Sequence, residues 1–201
     1  MPAPLASQQQ QEVWFPDTST LVTLAYHPPL GDEVRAYLND KRVVLLEVVV
    51  NELHSLASST SNVAGYANQA LGDLHWAGES VPIKDTDIIR ARVLQEEIRA
   101  LKPLKYDLEH WGESAIIALA SLAQHFSPVM LCEDYNARVA ANRNGIKTYS
   151  VHKLLSRMLK ENKISLSEAI SHTDALCSHA RGPSITAREL TQGELGRVGR
   201  P

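Results

Sequence analysis

Apolar residues along this chain come in two rhythms, and their alternation predicts most of its architecture. Short runs of strand length stand at 13–16 (VWFP), 43–46 (VVLL), 129–132 (VMLC) and 146–149 (IKTY). Runs this short, bounded by turn-forming residues, read as strands. Between them the apolar positions recur at helical spacing. Segments 18–26, 31–38 and 48–57 read as helices, the first stopped by Pro28 and Pro29. A serine-rich break at 58–61 precedes another helix reaching about residue 76. Over 87–101, Ala91, Leu94, Ile98 and Leu101 form one stripe, and 112–126 repeats the spacing with Ile116, Leu119, Ala120 and Ala123. Residues 135–142 read as a helix closed by the turn Asn144-Gly145. Val151, Leu154, Leu155, Met158 and Leu159 mark an amphipathic helix. Ser165 and Glu168 carry the capping-box spacing for a last helix to about residue 180.

Strands alternating with helices predict an α/β fold: a mostly parallel central sheet with helices on both faces. There is no internal repeat and no clear linker, so the core reads as one domain. Residues 1–12, with glutamines at 8–11, read as a disordered lead-in, and 182–201 as a flexible tail. The formal net charge is −3, so bulk charge announces no nucleic-acid partner and any such surface is a local patch. Cys132 and Cys177 lie far apart and fit neither a metal spacing nor a disulfide framework, which points to a reducing cytoplasm. No apolar run approaches the roughly twenty residues of a membrane span, and no secretion signal is evident. The GxxxxGK phosphate loop and the dinucleotide fingerprint are both missing, and the histidines have no zinc spacing.

The acids are distributed more tellingly. Ligands of open α/β sheets bind beyond the carboxyl ends of the strands. Asp17 ends the first strand. Glu133 and Asp134 follow the strand at 129–132. Glu52 lies early in the helix after the second strand, and Glu113 opens the helix at 112–126. Taken singly, each has a structural explanation: Asp17 and Asp134 as N-caps, Glu52 as a solvated helix residue, Glu113 as an acid favoured by the helix dipole. Their shared sheet edge is what calls for chemistry. Carboxylates gathered at one point repel unless they hold hard cations such as Mg²⁺ or Mn²⁺, and such ions serve phosphoryl hydrolysis.

Four segments in order, FPDTSTLV, VVVNEL, WGESAIIALA and LCEDYNARVAANRNGI, resemble the PIN-domain nucleases over about residues 13–160. The resemblance implies a three-layer α/β/α sandwich for 13–160; residues 161–181 read as a C-terminal helical extension beyond it. It implies an Mg²⁺- or Mn²⁺-dependent endoribonuclease acting on single-stranded RNA. Asp17, Glu52, Glu113 and Asp134 match the family's catalytic, metal-binding acids. Ser19 matches the hydroxyl residue supporting the first acid, and Asn136 falls where many members carry another polar residue. Of the Glu133–Asp134 pair, Asp134 is expected to face the metal. Arg138 and Arg143, with Lys147, offer guanidinium and ammonium groups to an RNA backbone. Homodimers are frequent in the family, and some members are toxins restrained by a small antitoxin protein; the long segment 58–85 and the C-terminal extension depart from the shorter toxins. The competing expectation is a PIN fold that holds RNA or protein without cutting it. Trp14, Trp76 and Trp111 are expected to pack, and His54 to lie on another helix face from Glu52.

Overall fold

The computed structural model describes residues 10–99, 109–123 and 125–178. The flexible tail expected at 182–201 lies outside these residues, as does nearly all of the lead-in; Glu12 already belongs to the first strand. The strands are β1 (Glu12–Pro16), β2 (Arg42–Val43), β3 (Ser127–Leu131) and β4 (Lys147–Tyr149). The helices are α1 (Thr18–Tyr26), α2 (Pro28–Leu38), α3 (Glu47–Ala57), α4 (Ala64–Gly72), α5 (Asp85–Arg99), α6 (Trp111–Ala120), α7 (Tyr135–Arg143), α8 (Val151–Lys160) and α9 (Leu166–Cys177), with a 3₁₀ turn at Leu74–Ala77.

All strand pairs are parallel, in the order β2-β1-β3-β4. Alternation along the strands separates two cores. Val13, Phe15 and Met130 face one side, packed against α3, α4, α5, α6 and α7. Trp14, Val129 and Leu131 face the other, against α2, α8 and α9. Helix α1 contributes Leu21, Val22 and Ala25 to the first core and Leu24 to the second. The result is the expected three-layer α/β/α sandwich. Trp14 is wholly buried and stacks on Tyr149 with ring centroids 5.6 Å apart. No helix among the described residues is long and apolar enough to cross a membrane.

Several boundaries differ from the sequence reading. The run at 43–46 yields a two-residue strand; beyond it, only Leu46 bridges to Val81. Pro28 and Pro29 do not merely stop α1, since they occupy the first turn of α2, where a missing N–H is harmless and the fixed φ is favourable. Helix α6 ends at Ala120, well short of residue 126. The stretch 58–85 folds over α1 and α3: α4 sets Tyr66 edge-on to Tyr26 at 5.1 Å, and Val81 exchanges backbone hydrogen bonds with Leu45 and Glu47. The expected capping box is present at α9, with Ser165 Oγ accepting from the Glu168 N–H and Glu168 Oε2 accepting from the Ser165 N–H.

Candidate metal centre

Strand order reverses between β1 and β3, because the chain leaves β1 toward β2 on one side and reaches β3 and β4 on the other. Such a switch point opens a crevice at the carboxyl ends of the two strands. The Asp17 N–H donates to the Leu131 carbonyl at 3.0 Å, one rung past the strand pair Pro16–Leu131. Asp17 is therefore fixed in the crevice by the sheet itself.

Its side chain is 1% exposed and fully bonded. Oδ1 accepts from the Thr20 N–H at 2.7 Å, capping α1, and Oδ2 accepts from Ser19 Oγ at 2.7 Å. Burial and the charge of Glu113 nevertheless push its carboxyl up to about 7, against the donors from Thr20 and Ser19. Glu113 stands in the first turn of α6. One ligand atom each from Asp17, Glu113 and Cys132 lie within 4.8 Å of one another.

Glu52 is drawn to the same place from α3. It accepts the Gly112 N–H at 2.8 Å and a short hydrogen bond from Thr18 Oγ1, so it ties the first turns of α1 and α6 together. Burial raises its carboxyl to about 7; Glu113 adds to the rise, while Thr18 and Gly112 oppose it. Gly112 is required here for room, since a Cβ would stand 2.7 Å from Glu52 Oε2. His110, in the left-handed region at φ 61° just before α6, places Nδ1 3.9 Å from Glu113 Oε1. Glu113 first, then Asp134 and Glu109, raise the proton affinity of its imidazole over the opposing effect of burial.

The side chains of Glu133 and Asp134 go to different helices. Glu133 turns to the N-terminus of α8, where Oε1 accepts the Val151 N–H at 2.6 Å. Asp134 caps α7 through a 2.7 Å bond from the Ala137 N–H, and its charge reaches His110. Asn136 is exposed on α7. Arg138 uses Nη1 to hold the carbonyls of Cys132 (3.0 Å) and Glu133 (2.5 Å), fixing the loop beneath the acids. Arg143 is exposed and pairs with Glu97 of α5 at 3.2 Å, and Lys147 pairs with Glu12 at 3.3 Å. The sequence reading missed Thr18, His110, Gly112 and Cys132. The cysteines have no metal spacing in sequence, yet the fold sets Cys132 Sγ close to Asp17 and Glu113. Spacing rules find ligands that share a segment, whereas its partners come from β1 and α6.

A parallel sandwich with buried carboxylates at its switch point is the frame of an acid-lined hydrolase. The family model of the PIN domain matches residues 16–152, and the chain belongs to that family. PIN domains are in general nucleases that use divalent metals. Comparison with curated proteins and with solved structures returns no significant match.

Proposed function

We propose that the chain is an Mg²⁺- or Mn²⁺-dependent endoribonuclease hydrolysing phosphodiester bonds of single-stranded RNA. The observation that carries this reading is the buried Asp17 close to the partly buried Glu113, with Glu52 nearby, at the switch point of a PIN fold. The donor set fits a divalent cation. Asp17 and Glu52 bind protons far more tightly than ordinary carboxylates because their charges are neither hydrated nor balanced, and a cation would balance them. Asp17 and Glu113 would hold it, with Glu52 and Asp134 flanking. When bound, such an ion activates water and neutralises charge developing on the phosphoryl oxygens.

The chain's own residues supply positioning. Ser19 and the Thr20 N–H fix both oxygens of Asp17, so the acid presents one geometry. Thr18 and the Gly112 N–H do the same for Glu52. Glu113 stands in the first turn of α6. His110 places its imidazole 3.9 Å from Glu113, whose charge raises the proton affinity of the ring. Asn136 and Arg143 lie exposed on α7, the helix that Asp134 caps, and are assigned to the RNA strand, with Arg138 stiffening the loop between.

Labelled single-stranded RNA incubated with Mn²⁺ or with EDTA tests this. Cleavage should require the cation and should vanish for Asp17→Asn and Glu113→Gln. Cleavage by Asp17→Asn at the parent rate would overturn the assignment, and RNA retention without product would make the chain a binding module. A toxin role carries its own test: induced expression should arrest growth, relieved by a small antitoxin protein encoded beside it.

A further inference from the structure

Cys132 is the residue the four-acid scheme does not use. It follows β3 directly, and its backbone is held from both sides: its N–H donates to the Tyr149 carbonyl at 2.9 Å, and its carbonyl accepts from Arg138. Its side chain is fully buried. A buried cysteine commonly behaves as a small hydrophobe, and Cys132 does belong to the first core. Its sulfur also lies within 4.8 Å of carboxylate oxygens from Asp17 and Glu113. The thiol is 3.7 Å from the Asp134 carbonyl and is also directed at the Asp17 carboxylate, and sulfur is a weak donor.

We propose that Cys132 is itself a ligand of the cation site, completing an oxygen–oxygen–sulfur set that prefers thiophilic divalent ions to Mg²⁺. This rests on the reading of Asp17 and Glu113 as cation ligands. Tetrahedral ions with sulfur at about 2.3 Å and oxygen at about 2.1 Å bring their ligand atoms to roughly 3.5 Å from one another, a modest closing of the present group. Thiolate selects zinc-like and softer ions, while Mg²⁺ takes oxygen alone. On binding, the S–H bond breaks, a sulfur–metal bond forms and the proton leaves to buffer, with no change of oxidation state. The same site thus has two occupancies: Mg²⁺ held by oxygens with the thiol intact, and a softer ion held by three protein atoms.

The test uses the full chain carrying Cys177→Ser, which removes the other thiol, exposed at the end of α9. The EDTA-stripped protein is titrated with Cd²⁺ and Co²⁺ and followed by sulfur-to-metal charge-transfer absorption, with Mn²⁺ binding followed by electron paramagnetic resonance. The absorption band should saturate at one equivalent and disappear in Cys132→Ser and Cys132→Ala. Cd²⁺ affinity should fall roughly tenfold or more, and Mn²⁺ affinity by much less. Mn²⁺ binding that Asp17→Asn abolishes, with no sulfur band from bound Cd²⁺, overturns the role of Cys132 and leaves the acids as ligands. A band that survives in both Cys132 variants overturns it equally. Failure of the parent to bind Mn²⁺ at all overturns the underlying reading as well.

Discussion

Asp17 caps a helix and carries a charge next to Glu113, and the two roles pull against each other. As a cap it accepts two good hydrogen bonds; as a charge it is buried beside another acid. Its carboxyl rises from the ordinary 3.8 to about 7, so between these values the folded protein holds a proton that the unfolded chain has shed. Stability of the cation-free protein is therefore fullest below about pH 4 with respect to this group and is lost as pH rises through about 7. Asn caps helices about as well as Asp and has no charge to bury. Asp17→Asn should therefore abolish RNA cleavage while making the EDTA-treated protein more stable at pH 8, by on the order of a few kcal/mol. Urea unfolding of both proteins at pH 5 and pH 8 checks it: the gain should be clearly larger at pH 8 than at pH 5, because the cost of the charge builds up between about pH 4 and pH 7. A loss of stability at both pH values would mean that the carboxylate is a structural asset and would argue against a repelling site.

The elements show how separate segments are brought to one point. Helix α6 packs on α3 in the first core and is tied to it by the Gly112 N–H on Glu52. Gly112→Ala should improve helix propensity by about 1 kcal/mol yet push a methyl into the Glu52 carboxylate. We expect folding to be kept and Mn²⁺ affinity to drop roughly tenfold, measured by calorimetric titration; unchanged affinity would remove Glu52 from the site. At the far end of the chain, Ser165→Ala should cost about 1 kcal/mol in urea unfolding and leave cleavage untouched, because α9 docks on the opposite core through Ala169 and Leu176. Elements of this kind were legible from sequence where a local signal settles them, as the capping box does at α9 and as Asp17 followed by Thr18 and Ser19 does at α1. Boundaries set by packing were not. The apolar run at 43–46 looks like a full strand, but after Val43 the chain turns so that Leu45 and Leu46 enter the core and pair with Val81. The apolar stripe continues past Ala120, but α6 ends there, capped by Ser121, whose hydroxyl donates to the Ala118 carbonyl.

At the scale of the molecule, the sheet register decides what the site contains. Parallel pairing of Pro16 with Leu131 puts Asp17 beside Cys132, and no local pattern foretells that neighbour. Asp17, Glu113 and Asp134 stand at the start of a helix or the end of a strand, where sequence can single them out, whereas Glu52 lies mid-way along α3, and His110 and Cys132 acquire meaning only from partners on other elements. One thermodynamic consequence belongs to the whole assembly. Asp17 and Glu52 both hold protons to about pH 7, so a cation must displace protons below that pH and finds free carboxylates above it. Without cation, stability should fall as pH rises through 7; with cation, binding should strengthen over the same interval and offset the fall. Ligand at a hundred times its dissociation constant stabilises by about 2.7 kcal/mol, which for a chain of this size raises the melting temperature by roughly 5–10 °C. Thermal unfolding in EDTA and in Mn²⁺, at pH 5 and pH 8, should show a Tm in EDTA that drops toward pH 8 and protection by Mn²⁺ that is large at pH 8 and small at pH 5. Equal protection at both pH values would mean that the ion binds away from Asp17 and Glu52, the two carboxyls whose raised proton affinity sets this pH dependence.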